Sequence, residues 1–441
     1  MTYEAALLYL DSFVNYEKES ASAYPEAFKL DRMRALAKEF GNPQNAYESV
    51  IIAGSKGKGS TAAFLSSILR MENYRVGLYT SPHLNDVRER IQVNGLCVSE
   101  ARVTEFITRL KKMQEEYSWK KDPPTYFEVL TVLAFHTFKE MKVHVAVLEV
   151  GLGGLYDSTN IAPAKVAGLT PISLEHTDKL GKTVSKIAVQ KCGVIKGRET
   201  VVSSPQVPAA KRVIESAAHE REAQLFFVGK DIKISERNFD ERSQRLDLRT
   251  PWGNFYDLEI RLLGRHQMEN AAQAVGLAKA LEKRTRLVLS ESAVRQGLVD
   301  ARWPGRLEKV AERPAVVLDG AHNVDSVKKM LEGLKRHFKF SDLIVVFGAS
   351  NDKDVDVMLQ ELAKGAKSFV FTECRHPRAL SARVLAESAK DKGPEIHQAD
   401  SSAWALKKAR SLAGPDDLIL VTGSLFLLGE VRGPVQEGVT V

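Results

Sequence analysis

The chain has 441 residues, too many for one ordinary core, so two or three domains are expected. Its 44% hydrophobic and 27% charged residues are the balance of a globular protein, and no apolar run approaches the roughly 18 residues that span a bilayer. The net charge of +7 admits nucleic acid or small polyanions as partners. Lys and Arg are spread along the whole chain without a dense block, so small polyanions fit better and no nucleic-acid partner is expected. Cys97, Cys192 and Cys374 are scattered, with neither a disulfide framework nor zinc spacing. The first residues lack a basic stretch followed by an apolar one, and a cytoplasmic location is expected.

Residues 1 to 45 read as mostly helical. The run Ser49-Val50-Ile51-Ile52-Ala53 is a short buried parallel strand, and residues 60 to 72 carry apolar positions at helical spacing. A second strand over 75 to 80 ends in Ser81-Pro82, giving strand, glycine-rich turn, helix, strand. Helices follow near 99 to 116 and 125 to 141. Strands are expected at 143 to 150 and 166 to 170, then an antiparallel patch over 223 to 263 and an alanine-rich helix over 266 to 281. A second α/β alternation begins at Ala315 and runs to Thr422, after a connection near Gly297 to Gly305. The fold class is therefore α/β: a phosphate-loop domain with a mainly parallel sheet, expected over residues 1 to 300, and a smaller Rossmann-like domain over 301 to 441.

The chemistry starts at "GSKGKGST", residues 54 to 61. A glycine-rich strand-to-helix turn exposes successive backbone N–H groups at a helix N-terminus, where they bind phosphate. Lys58 would reach the β- and γ-phosphates as a point charge. A flexible Gly/Ser/Lys turn is the plain alternative, and the flanking strand and helix argue against it. The loop still departs from the usual G-x-x-x-x-G-K-[ST] twice: Gly54 sits too close to serve as the first glycine, and Gly59 stands where a hydroxyl normally meets magnesium, with Ser60 and Thr61 one and two positions late. Magnesium needs hard oxygen ligands, and open α/β sheets bind ligands at the carboxyl ends of their strands. Ser81 and Glu149 stand at two such ends, and Glu149 is the one charge in an otherwise apolar run. Asp319, before Gly320, stands at a third.

Eight ordered motifs extend the pattern. They are "GSKGKGST", "GLYTSPHLNDVRERIQVNG" (77 to 95), "LEVGLGGLYDSTN" (148 to 160), "LEHTDKLGKTVSKIAVQKCGVIK" (174 to 196), "GRHQMENAAQA" (264 to 274), "WPGRLE" (303 to 308), "LDGAHN" (318 to 323) and "VTGSLFLLGEVR" (421 to 432). Together they resemble the folylpolyglutamate synthase / dihydrofolate synthase family, a branch of the Mur ligases. The family's loop typically reads Gly-Thr-Asn-Gly-Lys-Gly-Ser, so the glycine after the lysine is its own pattern, while Ser55 and Lys56 depart from it. The resemblance implies an ATP site of Gly57, Lys58, Gly59, Ser60, Asn270, Arg306, Asp319 and His322. It implies one Mg2+ on Ser81 and Glu149, and a second on His176 and a carbamylated Lys191. Lys58, His176 and Lys191 would be catalytic; His322 and Ser424 would lie near the incoming glutamate. Glu175 stands where the family usually has Asp.

The implied reaction is ATP-dependent addition of L-glutamate to a folate, and in some members to dihydropteroate, through an acyl phosphate. A monomer acting on ATP, folate and glutamate is expected. The rival readings are another Mur-type amino-acid ligase, disfavoured by the loop and by "TSPHL", and a non-ligase P-loop NTPase, which gives "WPGR" and "LDGAHN" no task.

Overall fold

The structure is a computed structural model describing residues 1–17, 30–116 and 122–433. Helices α1 (Tyr3–Asp11) and α2 (Leu30–Glu39) precede β1 (Glu48–Ala53), α3 (Lys58–Met71), β2 (Val76–Tyr79), β3 (Ile91–Val93) and β4 (Leu96–Cys97). Then come α4 (Glu100–Glu116), α5 (Tyr126–Glu140), β5 (Val145–Glu149), β6 (Val166–Leu169), α6 (Thr177–Leu180), α7 (Val184–Lys191), β7 (Thr200–Ser203), α8 (Pro208–Glu220) and β8 (Gln224–Phe227). Strands β1 to β8 form one sheet in the order β4-β3-β2-β5-β1-β6-β7-β8.

Alternation along the central strands decides which layer each side chain joins. Val50 and Ile52 of β1, with Val145 and Val147 of β5, pack into one core; Ala146 and Leu148 of β5 enter a second, and Ile51 and Ala53 of β1 a third. Both faces are therefore covered and the strands read as unbroken apolar runs. The parallel register pairs Ile52 with Glu149, Ala53 with Leu169 and Tyr79 with Leu148. It brings Gly54, Ser81, Glu149 and Thr170 to a single edge, although they are far apart in sequence.

An antiparallel sheet of β9 (Lys233–Phe239), β10 (Gln244–Thr250) and β11 (Gly253–Ile260) follows, then α9 (Arg265–Arg284) and α10 (Glu291–Asp300). The antiparallel patch is thus narrower than expected: residues 224–227 are β8, the parallel edge of the main sheet. Gly297 is not in the connection. It lies in α10, pressed against the backbone of Ile68 in α3, so the crossing to the second sheet starts at Ala301.

The second sheet contains β12 (Glu308–Glu312), β13 (Ala315–Leu318), β14 (Leu343–Phe347), β15 (Ser368–Thr372), β16 (Glu395–Ala399) and β17 (Leu418–Thr422), in the order β12-β13-β17-β14-β15-β16. Its helices are α11 (Val324–His337), α12 (Val355–Ala363), α13 (Ala382–Ala389), α14 (Ser402–Leu412) and α15 (Leu425–Arg432). All pairs are parallel except β12 with β13. Leu318 pairs with Val421, so Asp319 and Gly423 emerge at the edge facing the first sheet. Two expected features fall partly outside the described residues: the helical stretch to 45 and the tail to 441.

Candidate active site

Between the sheets lies a cleft of roughly 2280 Å3, lined from the first by the 55–60 loop, Ser81, Glu149, Glu175, His176 and Asn270, and from the second by Arg306, Asp319 and His322. The loop turns at Gly57, whose φ of 88° lies in the left-handed region that suits glycine; a side-chain carbon there would sit 2.5 Å from Asn270 Oδ1. Asn270 is buried, donates to Gln267 at 3.0 Å, and Gln267 reaches Ser60 Oγ at 3.4 Å. Asn270 and Gln267 therefore brace the loop from α9. Lys58 Nζ folds back on the Gly54 carbonyl at 3.2 Å, within the cleft.

Gly59 has its own packing reason. A side-chain carbon at this position would lie 2.6 Å from the Trp303 ring, which comes from the segment connecting the two sheets. The place of the usual loop hydroxyl is taken by an indole. Gly59→Ser, which puts a hydroxyl directly after the loop lysine, is accordingly expected to reduce ATP-dependent activity at least about tenfold, by overpacking this contact. Unchanged activity with an unshifted Trp fluorescence spectrum would contradict it.

At the next strand ends, Glu149 is buried and accepts the Ser81 backbone N–H at 3.2 Å. Burial pushes its carboxyl above the ordinary range, opposed by Lys58, the Ser81 N–H and Arg306. A hydroxyl and a carboxylate side by side are hard oxygen donors, so the pair fits one magnesium ion. Among the described residues no three His, Cys, Asp or Glu side chains gather as a metal cluster. A metal here would complete its shell with water and phosphate oxygens.

The second group forms where α7 passes under the loop. Lys191 is buried and its Nζ donates to the Gly54 carbonyl at 2.7 Å and to Glu175 Oε1 at 2.8 Å. Burial lowers the Lys191 ammonium to about 8 despite Glu175. Burial raises Glu175, but Lys191 and then Lys58 overcome this and hold it at about 2. Next to this pair His176 adopts φ 46° at the start of α6 and opens to the cleft. Lys191 thus stands behind Glu175 and His176 rather than on the cleft wall.

Across the cleft, Asp319 is buried, and burial raises its carboxyl. Its two oxygens accept the backbone N–H groups of Leu307 and Ala321, both at 2.9 Å. It ties the turn carrying Arg306 to the turn carrying His322. The Arg306 guanidinium lies over Gly320, where a side-chain carbon would be 2.6 Å from Nη1. His322 Nδ1 is 2.8 Å from the Gly320 carbonyl, and burial lowers the imidazole to about 4, so it is neutral near pH 7.

Ser424 corrects an expectation. It is buried and does not line the cleft; its hydroxyl caps α15 by accepting Phe426 N–H at 3.2 Å and lies 3.7 Å from the Cys374 thiol. Leu425 and Phe426 line the cleft instead. Sequence reasoning also missed Gln267, Trp303 as the partner of Gly59, and Asp325, which pairs with Lys56 from the first turn of α11. Lys56 and Asp325 are 269 positions apart, and nothing local signals their meeting.

A phosphate loop on one α/β domain, faced by an arginine and a histidine from a second, is the layout of a two-domain ATP-dependent ligase. Two family models match: the Mur ligase middle domain over residues 52–278 and the Mur ligase, glutamate ligase domain over 305–425. The dihydrofolate synthase/folylpolyglutamate synthase of Bacillus subtilis is 34% identical over 411 residues, covering 91% of this chain and 94% of the relative. Among solved structures, Mycobacterium tuberculosis folylpolyglutamate synthase complexed with ADP superposes with a TM-score of 0.87 at 32% identity, over 98% of both chains. E. coli FolC in complex with DHPP and ADP gives 0.85 at 29%, over 98% of this chain and 97% of that one. The chain belongs to the folylpolyglutamate synthase/dihydrofolate synthase family of Mur ligases. It is a two-domain α/β ATP-dependent acid–amino-acid ligase, and no described helix is long and apolar enough to cross a membrane.

Proposed function

We propose that the protein adds L-glutamate to a folate carboxylate through an acyl phosphate, acting as a cytoplasmic monomer whose moving bodies are residues 1–300 and 301–441. The observation that carries this reading is the cleft itself, where Lys58 from one domain and Arg306 from the other both act on the buried Glu149 carboxylate. ATP and a carboxylate repel, and cations from both walls offset that repulsion. The carboxylate oxygen attacks the γ-phosphorus and ADP leaves. The amine of glutamate then attacks the carbonyl carbon, loses a proton, and phosphate departs. Lys58 and Arg306 hold the phosphates, the loop N–H groups orient them, and Asp319 keeps Arg306 and His322 in place. The neutral His322 stands where a glutamate carboxylate or its ammonium could be met. Water must be kept out, because acyl phosphates hydrolyse, and the two walls do this when they approach.

Ser81 and Glu149 would hold one magnesium, which neutralises phosphate charge and polarises the transferred group. Lys191 suits carbamylation. Burial lowers its ammonium to about 8, so it gives up its proton more readily than an ordinary lysine. The neutral amine adds to CO2 and releases a proton, leaving a carbamate whose oxygens could join His176 and Glu175 around a second magnesium.

The test is ATP- and Mg2+-dependent incorporation of labelled L-glutamate, with bicarbonate, into reduced folates and separately into dihydropteroate. Product with the folates is the expected result. Product with dihydropteroate as well marks a bifunctional enzyme, and product with neither sinks the reading.

A further inference from the structure

We propose that Lys56 is a positioning residue: through Asp325 it fixes the second domain's His322 turn over the phosphate loop. The two residues form an ion pair from opposite walls of the cleft. Lys56 stands where the resembled loop pattern has Asn, which could not carry this charge.

Both ends of the pair are anchored. On the first domain, the Ser55 and Lys56 N–H groups donate to the Pro171 carbonyl at 2.9 and 3.3 Å. Ser55 Oγ donates to the Ser173 carbonyl at 3.2 Å and accepts the Ser173 N–H at 3.0 Å. The Lys56 backbone is thus stapled to the segment that leads from β6 to Glu175 and His176, and its side chain projects across the cleft. On the second domain, Asn323 caps α11 by accepting Ser326 N–H at 3.0 Å, and Ser326 Oγ accepts the His322 and Asn323 N–H groups at 3.2 and 3.1 Å. Asp325 belongs to this turn, so a pull on its carboxylate is passed to His322. Lys329, one turn further on, stands 3.6 Å from the same Asp325 carboxylate and is a second, weaker cation for it.

The contact pairs with an apolar one. Gly59 meets Trp303 three residues after Lys56, so the loop touches the connecting segment and α11 at separate points. Two separated contacts fix an orientation, where one would leave a pivot. The Lys56 and Asp325 side chains are 24% and 56% exposed, so the pair contributes little to overall stability but can choose between arrangements of two domains that are already folded.

The kinetic arm rests on the ligase reading; the structural arm does not. Lys56→Asn, Asp325→Asn and the double variant would be compared with wild type, with Asp325→Glu as the conservative control. Hydrogen exchange with ADP bound should show Lys56→Asn loosening residues 319–329 and Asp325→Asn loosening 54–60, each across the cleft from its mutation. Each single variant should lower kcat about fivefold, with ADP affinity within about twofold of wild type. The double variant should be no worse than either single, and Asp325→Glu should recover most of the loss. Additive losses, or exchange changes confined to the mutated domain, overturn the proposal. So does a tenfold or greater loss of ADP affinity in Lys56→Asn with Asp325→Asn unaffected, which would make Lys56 a phosphate ligand. If no glutamate is incorporated by any form, the ligase reading falls while the cross-cleft exchange result still decides this one.

Discussion

Glu149→Gln is expected to lower glutamate ligation by about a thousandfold or more while leaving the melting temperature unchanged or slightly raised. The side chain stays the same size, and its amide oxygen can still accept the Ser81 N–H. What disappears is the negative charge at the end of β5, facing Lys58 and Arg306. In the folded protein that charge is costly, since burial pushes the carboxyl up; removing it does not weaken the core. Stability and activity should therefore separate. Activity within tenfold of wild type would show that Glu149 is a passive strand-end carboxylate. A collapse of the melting temperature would show that it is a structural one.

Lys191→Ala should be comparably damaging, but with a different signature. In the unmodified, metal-free protein the substitution leaves Glu175 at the inner wall of the cleft without its cation, and breaking a buried pair in this way costs about 3–5 kcal/mol. Activity is expected to fall at least about a hundredfold and to return in part with added short carboxylic acids, which supply the oxygens of a carbamate. The pH profile of stability should change too. In wild type kept free of bicarbonate and magnesium, with Lys191 unmodified, the folded Glu175 carboxyl sits at about 2 against an ordinary 4.5, so its stabilisation is complete above 4.5 and is lost as pH falls toward 2. Without Lys191 the largest influence lowering that carboxyl is gone. Denaturation midpoints measured between pH 2.5 and 5 should then be flatter than in wild type. An equally steep acid limb, or activity retained without added carboxylate, would count against the assignment.

What the sequence disclosed follows from how local each determinant is. The buried strands 48–53, 145–149, 343–347 and 418–422 are apolar on both faces, and composition alone marks them. Glu395–Ala399 was not visible, because a half-exposed edge strand reading Glu-Ile-His-Gln-Ala carries no apolar signal. The loop and the strand-end residues Ser81, Glu149 and Asp319 were legible because parallel sheets present their carboxyl ends on one side. The resemblance supplied His176, Lys191 and Arg306, whose roles no spacing rule would suggest. Interactions across the cleft were beyond reach. Nothing near Gly59 announces Trp303, and nothing near Lys56 announces Asp325, since each partner lies in another part of the chain. Ser424 illustrates the converse: its motif points it to the cleft, whereas its hydroxyl caps the helix that follows.

The central claim is that the acceptor carboxylate is phosphorylated before glutamate attacks. The most direct measurement supplies the folate acceptor with 18O in its reacting carboxylate and analyses the inorganic phosphate released during ATP- and glutamate-dependent turnover. Attack of the carboxylate on the γ-phosphorus, followed by cleavage at the carbonyl carbon, leaves one acceptor oxygen in each phosphate, so the account predicts one 18O per phosphate formed. Phosphate without 18O, or phosphate released at the same rate without folate, would contradict it.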